Sequence, residues 1–150
     1  MTRVETTVHV AAPPDRVWAV VSDPRNLPRW DRHIVRVEGV PEGELREGAT
    51  YTTVLRSMAV RAKVRAEVLA WEPPHRAVVR LSGPMIEATV TTTVEPAGDA
   101  SILRPEVEYR FRGGLLGEVA ARSLEIVGGA YLAVRHGALA QKRDAEGGAT

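Results

Sequence analysis

Alternation of apolar and polar residues is the dominant pattern between residues 51 and 111. Apolar side chains take every second position, and threonine, arginine, lysine and glutamate take most of the positions between them. This period of two predicts strands with one apolar and one polar face. Because only short turns separate the strands, the pattern indicates an antiparallel sheet with one face in solvent. The predicted strands are 4–10, 34–38, 51–55, 60–68, 77–81, 86–94 and 107–111.

Two other regions have the three- and four-residue spacing of helices. This spacing predicts a long helix from about Leu115 to about Lys142. Near the N-terminus, prolines and apolar residues predict a short helix that ends before Pro24, and a second helical turn follows up to Trp30. A sheet and a helix that each need an apolar partner predict an α+β fold. We expect one domain over residues 1–142 and a frayed polar tail over 143–150.

Composition narrows the classes of function. The 150 residues are 44% hydrophobic, and 20 basic residues against 19 acidic ones leave a net charge of +1. This balance provides no global field to attract nucleic acid or anionic lipid. The chain has no cysteine, which excludes disulfides and thiolate chemistry. Without a signal-peptide core or an apolar run of about 18 residues, we expect a cytoplasmic protein with no membrane span and no nucleic-acid partner.

Three segments occur in an order that is typical of a known superfamily. They are VHVAAPPDRVWAVVSDPRNLPRWD at 8–31, LREGATYTTV at 45–54 and YRFRGGLLGEVAARSLEIV at 109–127. With them, the chain resembles the START/polyketide cyclase-dehydratase superfamily (SRPBCC) over essentially its whole length. The resemblance implies a helix-grip fold, in which a seven-stranded antiparallel sheet wraps around the C-terminal helix, with two short helices after strand 1. It also implies a deep apolar cavity, and hence a hydrophobic ligand more than any particular reaction.

The apolar sides of the strands and of the long helix are expected to line this cavity. Small residues at Ala62, Ala66, Ala77, Ala88 and Ala120 leave room where a filled core would favour larger side chains. The expected ligand-binding residues are Leu27, Trp30, Tyr51, Leu55, Leu81, Ile86, Ala88, Val90, Tyr109, Phe111, Leu116, Val119, Ala120, Ser123, Val127 and Tyr131.

Few polar groups on this apolar side are able to do chemistry. The candidates are Tyr51, Tyr109 and Ser123, because a hydroxyl can donate to a ligand carbonyl and promote enolisation. The same side chains could equally fill the core, with their hydroxyls bonded elsewhere. Thr92 and Tyr131 are further polar groups on this side, and His33 and Arg80 are weaker candidates.

Other charged and histidine-bearing stretches favour simpler interpretations. No two of His9, His33, His75 and His136 have metal-ligand spacing, so we expect no metal and no cofactor. Glu106 and Glu108 are expected on the solvent face. The basic stripe of Arg61, Lys63 and Arg65 is either a weak anion site or is paired with acidic residues across strands. The RGGLLG stretch at 112–117 is either an anion site at a helix N-terminus or, as its spacing favours, a chain reversal into the helix. Gly128 and Gly129 mark a bend in the long helix or a close approach to its backbone.

The segment VWAVVSDPRNLPRWD at 17–31 contains two of the three tryptophans. Trp18 is expected to anchor its helix in the core. Trp30 follows Pro28 and is expected either to line or gate the cavity mouth or simply to pack. Asp23 is expected to stabilise the turn at Pro24 by accepting a backbone hydrogen bond.

Three hypotheses of function follow. The first is a binding protein for a small hydrophobic molecule such as a polyketide, lipid or aromatic metabolite. The second is a polyketide cyclase, aromatase or dehydratase that acts on a poly-keto intermediate by acid–base catalysis. The third is an interaction module with a vestigial cavity. A monomer and a homodimer are both compatible with the sequence.

Overall fold

The computed structural model describes residues 2–57, 60–112 and 129–147. Its strands are β1 Thr2–Glu5, β2 Val8–Val10, β3 Ile34–Glu38, β4 Thr50–Ser57, β5 Val60–Glu72, β6 Arg76–Ser82, β7 Ile86–Ala97 and β8 Ala100–Phe111. Its helices are α1 Pro14–Val21, α2 Leu27–Trp30 and α3 Gly129–Gly147, and a 3-10 turn covers Pro24–Asn26. Within these residues, no helix combines the length and the apolar character that crossing a membrane requires.

The strands form one antiparallel sheet with the order β1-β8-β7-β6-β5-β4-β3, and β2 also pairs with β8. From β3 to β8, strands that are consecutive in sequence are also adjacent in the sheet, because only short connections join them. The predicted α+β helix-grip fold is therefore confirmed, except that the described residues form eight strands rather than seven.

The extra strand arises because the predicted first strand, 4–10, is divided. Glu5 pairs with Glu106 and Val8 pairs with Leu103, so β1 and β2 keep one register along β8. Pro105 lies opposite the break and has no N–H to donate to the ladder. The N–H of Thr6 still donates to the Pro105 carbonyl oxygen at 3.2 Å.

The register divides the sheet into two faces. The inner face packs against α1 and α3, and its end near Val10 and Leu103 forms a buried cluster with Val17, Trp18 and Ala138. Its alternation is interrupted in β3, where the register with β4 shifts between Ile34 and Arg36, and in β5, where the register with β6 shifts between Val68 and Ala70. The bulge in β5 directs Trp71 to the inner face, opposite Ala77, although the strict period of two would have placed it outside.

Helix α3 continues to Gly147, beyond the predicted end at Lys142. Ala145 is completely buried in the core, and the Glu146 carboxylate accepts a hydrogen bond from the Ala11 backbone N–H at 2.7 Å. These tertiary contacts stabilise a polar helical end that the sequence pattern alone did not indicate. The predicted first half of the long helix, including Gly128, lies outside the described residues, as do residues 148–150 of the predicted tail.

The outer face carries the charged residues, and cross-strand ion pairs join many of them. Glu106, expected in solvent, pairs with Arg3 on the neighbouring strand at 2.8 Å. Arg110 and Arg112 both pair with Glu87, whose carboxyl pKa they hold below its usual value of 4.5. The outer face is therefore a solvated surface rather than a site of acid–base catalysis.

Candidate functional site

Strand register brings many of the predicted cavity residues together on the inner face. A row of directly paired residues crosses five strands in the order Tyr51, Ala66, Leu81, Ala88 and Tyr109. The predicted residues Leu55, Ile86, Val90 and Phe111 occupy the same face, because each lies two or four positions from a member of this row on its own strand.

Burial changes along this face. At one end, which we call the β5–β6 end because the turn between Glu72 and Arg76 lies there, Val94 and Leu103 are fully buried. The opposite end, called the β4–β5 end, is where β4 stops at Ser57 and β5 starts at Val60. Its inner-face side chains are only partly buried. They include Leu55, Ala62, Leu81, Ile86 and Phe111. The β4–β5 end therefore presents apolar surface that the described side chains do not fill.

Tyr51 lies where the buried part of the inner face meets this partly exposed part. Its side chain packs in a cluster with Leu45, Ala66 and Val68 and is only 8% exposed. Burial raises the pKa of Tyr51 to about 12, because the phenolate would lose its hydration. No hydrogen bond joins its hydroxyl to another group in the described parts of the chain. Tyr51 thus keeps its proton at neutral pH and can donate it in a hydrogen bond.

Tyr109, the second predicted catalytic residue, is also buried on this face. Its ring packs edge-on against Phe111, with centroids 5.7 Å apart and an interplanar angle of 78°. The third, Ser123, lies outside the described residues, as do Leu116, Val119, Ala120 and Val127. Tyr131 is 45% exposed, so almost half of its surface faces open space rather than the packed sheet.

Trp30 is held between helices. It is 4% exposed, and its Nε1 donates to Asp144 Oδ2 at 2.8 Å. Arg29 donates to the other oxygen of the same carboxylate at 3.1 Å. Leu27, at the start of α2, packs against the cluster that contains Tyr51. Asp144, which the sequence analysis missed, therefore joins α2 to α3 beside the predicted site. The sequence pattern had placed Asp144 in the frayed polar tail, after the predicted end of the long helix.

The weaker candidates are placed less favourably. Arg80 lies on the outer face, where it pairs with Glu67. His33 is more than half exposed and contacts the Asp31 carboxylate at 3.1 Å. Thr92 does lie on the inner face, opposite Ala77 and Pro105. In the described ranges, no group of three His, Asp or Glu side chains could hold a metal ion.

A separate cavity of about 330 Å³ opens at the β5–β6 end. The C-terminal part of α1, the 3-10 turn and the β3–β4 loop surround it. Trp18 and Trp71 form one wall, with ring centroids 5.1 Å apart and an interplanar angle of 64°. Asp23 lies at its edge and accepts a hydrogen bond from the Arg25 backbone N–H at 3.0 Å, which confirms its predicted role in the turn. The full lining is Trp18, Ala19, Ser22, Asp23, Pro24, Arg25, Gly43, Glu44, Leu45 and Trp71.

This cavity escaped the sequence analysis for a structural reason. Trp71 reaches the inner face only through the bulge in β5, and Leu45 comes from an irregular loop without periodicity. Trp18 was correctly expected to be buried, but its contact with Trp71 joins positions 53 residues apart in sequence. No local pattern encodes that contact.

Comparisons with known proteins agree with this architecture. The model of the family described as "Polyketide cyclase / dehydrase and lipid transport" matches residues 1–140. An uncharacterized protein of Mycobacterium tuberculosis is 35% identical over 132 residues, which is 83% of this chain and 90% of the relative.

Solved structures reproduce the fold at low sequence identity. A Thermus thermophilus protein has a TM-score of 0.77 at 17% identity, over 99% of this chain and 100% of that chain. A Streptomyces aromatase/cyclase has a TM-score of 0.74 at 18% identity, over 99% and 98% of the two chains. A START superfamily protein of Mycobacterium smegmatis has a TM-score of 0.61 at 18% identity, over 91% and 98%.

The fold, the register of the inner face and the match over residues 1–140 all lead to one assignment. The chain belongs to the family described as "Polyketide cyclase / dehydrase and lipid transport", and this membership supports a ligand-binding or cyclase role.

Proposed function

We propose that the protein binds a small hydrophobic molecule that carries a carbonyl group, at the β4–β5 end of the inner face. The observation that carries this proposal is the position of Tyr51, a protonated donor at the border of partly exposed apolar side chains. An apolar molecule would cover Leu55, Leu81 and Phe111, and its carbonyl oxygen would accept the Tyr51 hydrogen bond.

The expected affinity follows from the apolar area. A ligand that buries about 300 Å² of apolar surface gains roughly 7 kcal/mol before the costs of association. A neutral hydrogen bond from Tyr51 adds about 1 kcal/mol, because the hydroxyl is already desolvated. We therefore expect micromolar dissociation constants for a polyketide-like aromatic ketone and weaker binding for its analogue without the carbonyl.

A substitution that fills the site tests the proposal. Ala62 is partly exposed on the inner face, so Ala62→Trp would occupy the ligand's space; Ser82→Trp, on the outer face, is the matched control. Binding of an aromatic ketone and of a fatty acid is measured by native mass spectrometry and by fluorescence titration. We expect Ala62→Trp to lose at least tenfold in affinity and Ser82→Trp to bind like the unmodified chain. Equal affinities in the two variants would exclude the inner face as the site.

A second function, cyclase or dehydratase activity on a poly-keto intermediate, is favoured by the same hydroxyl. A donor on the ligand carbonyl promotes enolisation, and general acid–base groups contribute typically about 10²–10⁴-fold to the rate. Tyr109 and Ser123 remain the other proposed catalytic residues. With a poly-keto substrate, Tyr51→Phe should bind about fivefold more weakly, because it lacks the hydrogen bond to the ligand carbonyl, and should lose turnover by about 10²–10⁴-fold. Full turnover in Tyr51→Phe, Tyr109→Phe and Ser123→Ala would remove all three hydroxyls from the mechanism.

A further inference from the structure

Five cationic side chains meet on the outer face of β3, β4 and β5. The register places Arg56 directly opposite Arg61, and Lys63 opposite Val54, whose other neighbour is Arg36. Arg65 follows on the same side of β5. All five side chains are exposed. We call Arg36, Arg56, Arg61, Lys63 and Arg65 the basic patch. With strands about 4.8 Å apart and a rise of about 3.3 Å per residue, the patch measures roughly 10 by 13 Å.

Among the described residues, the five cations of the basic patch have one carboxylate between them. Glu38 pairs with both Arg36 and Lys63, and both pairs are largely exposed. Within the described residues, Arg56, Arg61 and Arg65 form no ion pair. Of the predicted stripe, only Lys63 has an acidic partner in the described residues, and Glu38 lies on β3, two strands away from β5. Two arginines placed directly opposite each other lower the stability of a sheet, so the arrangement requires another explanation.

Charged residues on the rest of the surface show that positive and negative charges are unevenly distributed between the two ends of the sheet. Elsewhere on the outer face, cations are paired with carboxylates, as in Arg80–Glu67 and Arg104–Glu95. At the β5–β6 end, the exposed β3–β4 loop has three glutamates, at 42, 44 and 47, against one arginine. The chain has a net charge of only +1, yet the three outer-face cations that form no ion pair in the described residues, Arg56, Arg61 and Arg65, lie together towards the β4–β5 end. A molecule polarised in this way orients itself at an anionic surface.

We propose that the basic patch docks the protein on a membrane surface of anionic phospholipids. This inference rests on the proposed function, because it names the place from which the inner-face site takes up or releases its apolar ligand. Leu55 and Ala62 on the inner face are the chain neighbours of Arg56 and Arg61 on the outer face. Docking through these arginines brings the partly exposed apolar end of the site to the lipid, as transfer of a poorly soluble molecule requires.

Vesicle flotation with the full chain tests the inference. The vesicles contain phosphatidylcholine alone, or phosphatidylcholine with about 30% phosphatidylglycerol, and each is measured at about 0.05 M and about 0.5 M salt. We expect binding only to the anionic vesicles and only at low salt. Each basic residue near an anionic surface contributes about fivefold in affinity. The double variant Arg61→Gln/Arg65→Gln should therefore bind about 25-fold more weakly.

The matched control removes the same charge elsewhere. Arg46→Gln/Arg143→Gln changes two exposed arginines outside the basic patch that form no ion pair within the described residues. We expect this variant to keep vesicle affinity within about twofold. Equal losses in the two double variants, or equal binding to neutral vesicles, would overturn the inference. A third outcome would also overturn it: the protein binds poly-glutamate through Arg61 and Arg65 but does not bind the anionic vesicles. The partner of the basic patch would then be an acidic protein.

Ligand binding in vesicle-free solution separates this inference from the proposed function. Arg61→Gln/Arg65→Gln should bind the aromatic ketone with unchanged affinity, because both side chains lie on the outer face. Intact ligand binding without vesicle docking refutes the docking alone. Vesicle docking without any ligand binding refutes the proposed function, and with it the transfer role of the patch.

Discussion

The chemistry of Tyr51 follows from where β4 places its side chain. The aromatic ring completes an apolar cluster with Leu45, Ala66 and Val68, and the hydroxyl is desolvated with it. Burial makes the Tyr51 hydroxyl a desolvated hydrogen-bond donor, and it also makes the free energy of unfolding of the protein depend on pH. The unfolded chain exposes this phenol to water, whereas the folded chain does not.

We expect the free energy of unfolding to fall at alkaline pH through this residue. Burial raises the pKa of Tyr51 from 10.0 to about 12. Its stabilising contribution is fully present below about pH 10 and is lost as the pH rises to about 12, a loss of roughly 2–3 kcal/mol. Urea unfolding over this pH range should show a shallower decline for Tyr51→Phe. Tyr131→Phe, at an exposed position, should follow the unmodified chain, and an equally steep decline in Tyr51→Phe would contradict the assignment.

The sequence predicted single residues well wherever a local rule applied. The burial of Trp18 and the turn hydrogen bond of Asp23 follow from helix periodicity and from turn chemistry. The role of Asp144 was not predicted, because its partners Arg29 and Trp30 are more than 110 positions away in sequence. Long-range polar contacts of this kind leave no periodic signal.

At the scale of elements, the Asp144 carboxylate fixes α2 against α3. The indole N–H of Trp30 reaches one oxygen in a partly buried contact, and the Arg29 guanidinium reaches the other in an exposed one. The two contacts should therefore differ in strength, because solvent weakens the exposed ion pair.

We expect Trp30→Phe to lower the free energy of unfolding by about 1–2 kcal/mol, since it removes a hydrogen bond to a charged acceptor and keeps most of the ring. Arg29→Ala should cost at most about 1 kcal/mol, because that side chain is 62% exposed. Denaturant titration of both variants measures the difference. A larger loss in Arg29→Ala than in Trp30→Phe would mean that the ion pair, rather than the indole, holds α2 in place.

Two features limited the prediction of elements. The alternation of 60–68 correctly predicted β5 but not its continuation, because the bulge after Val68 changes the phase of the pattern. The alternation of 4–10 predicted one strand, whereas Pro105 on the partner strand interrupts the ladder there. In both cases the decisive residue acts through pairing in space, and period counting along one segment cannot detect it.

At the scale of the whole molecule, packing and charge are distributed along the same direction. Helices α1 and α3 bury the inner face at the β5–β6 end, where the exposed loop is acidic. The β4–β5 end combines partly exposed apolar side chains inside with the basic patch outside. Net charge and overall hydrophobicity, which were all that composition provided, average over this difference. They therefore do not reveal the difference between the two ends of the sheet, on which both the proposed site and the proposed docking depend.

This distribution leads us to expect uneven local stability. Segments with fewer buried contacts open more readily, so amide hydrogen exchange in the ligand-free protein should be faster around Leu55 and Leu81 than around Val94 and Leu103. A ligand present at about 100 times its dissociation constant adds about 2.7 kcal/mol to the free energy of unfolding. Amide exchange that requires the ligand to dissociate therefore slows about 100-fold. Exchange mass spectrometry should locate this slowing at the β4–β5 end and find none in Ala62→Trp. Slowing confined to the β5–β6 end would instead place the ligand in the cavity whose wall contains Trp18 and Trp71.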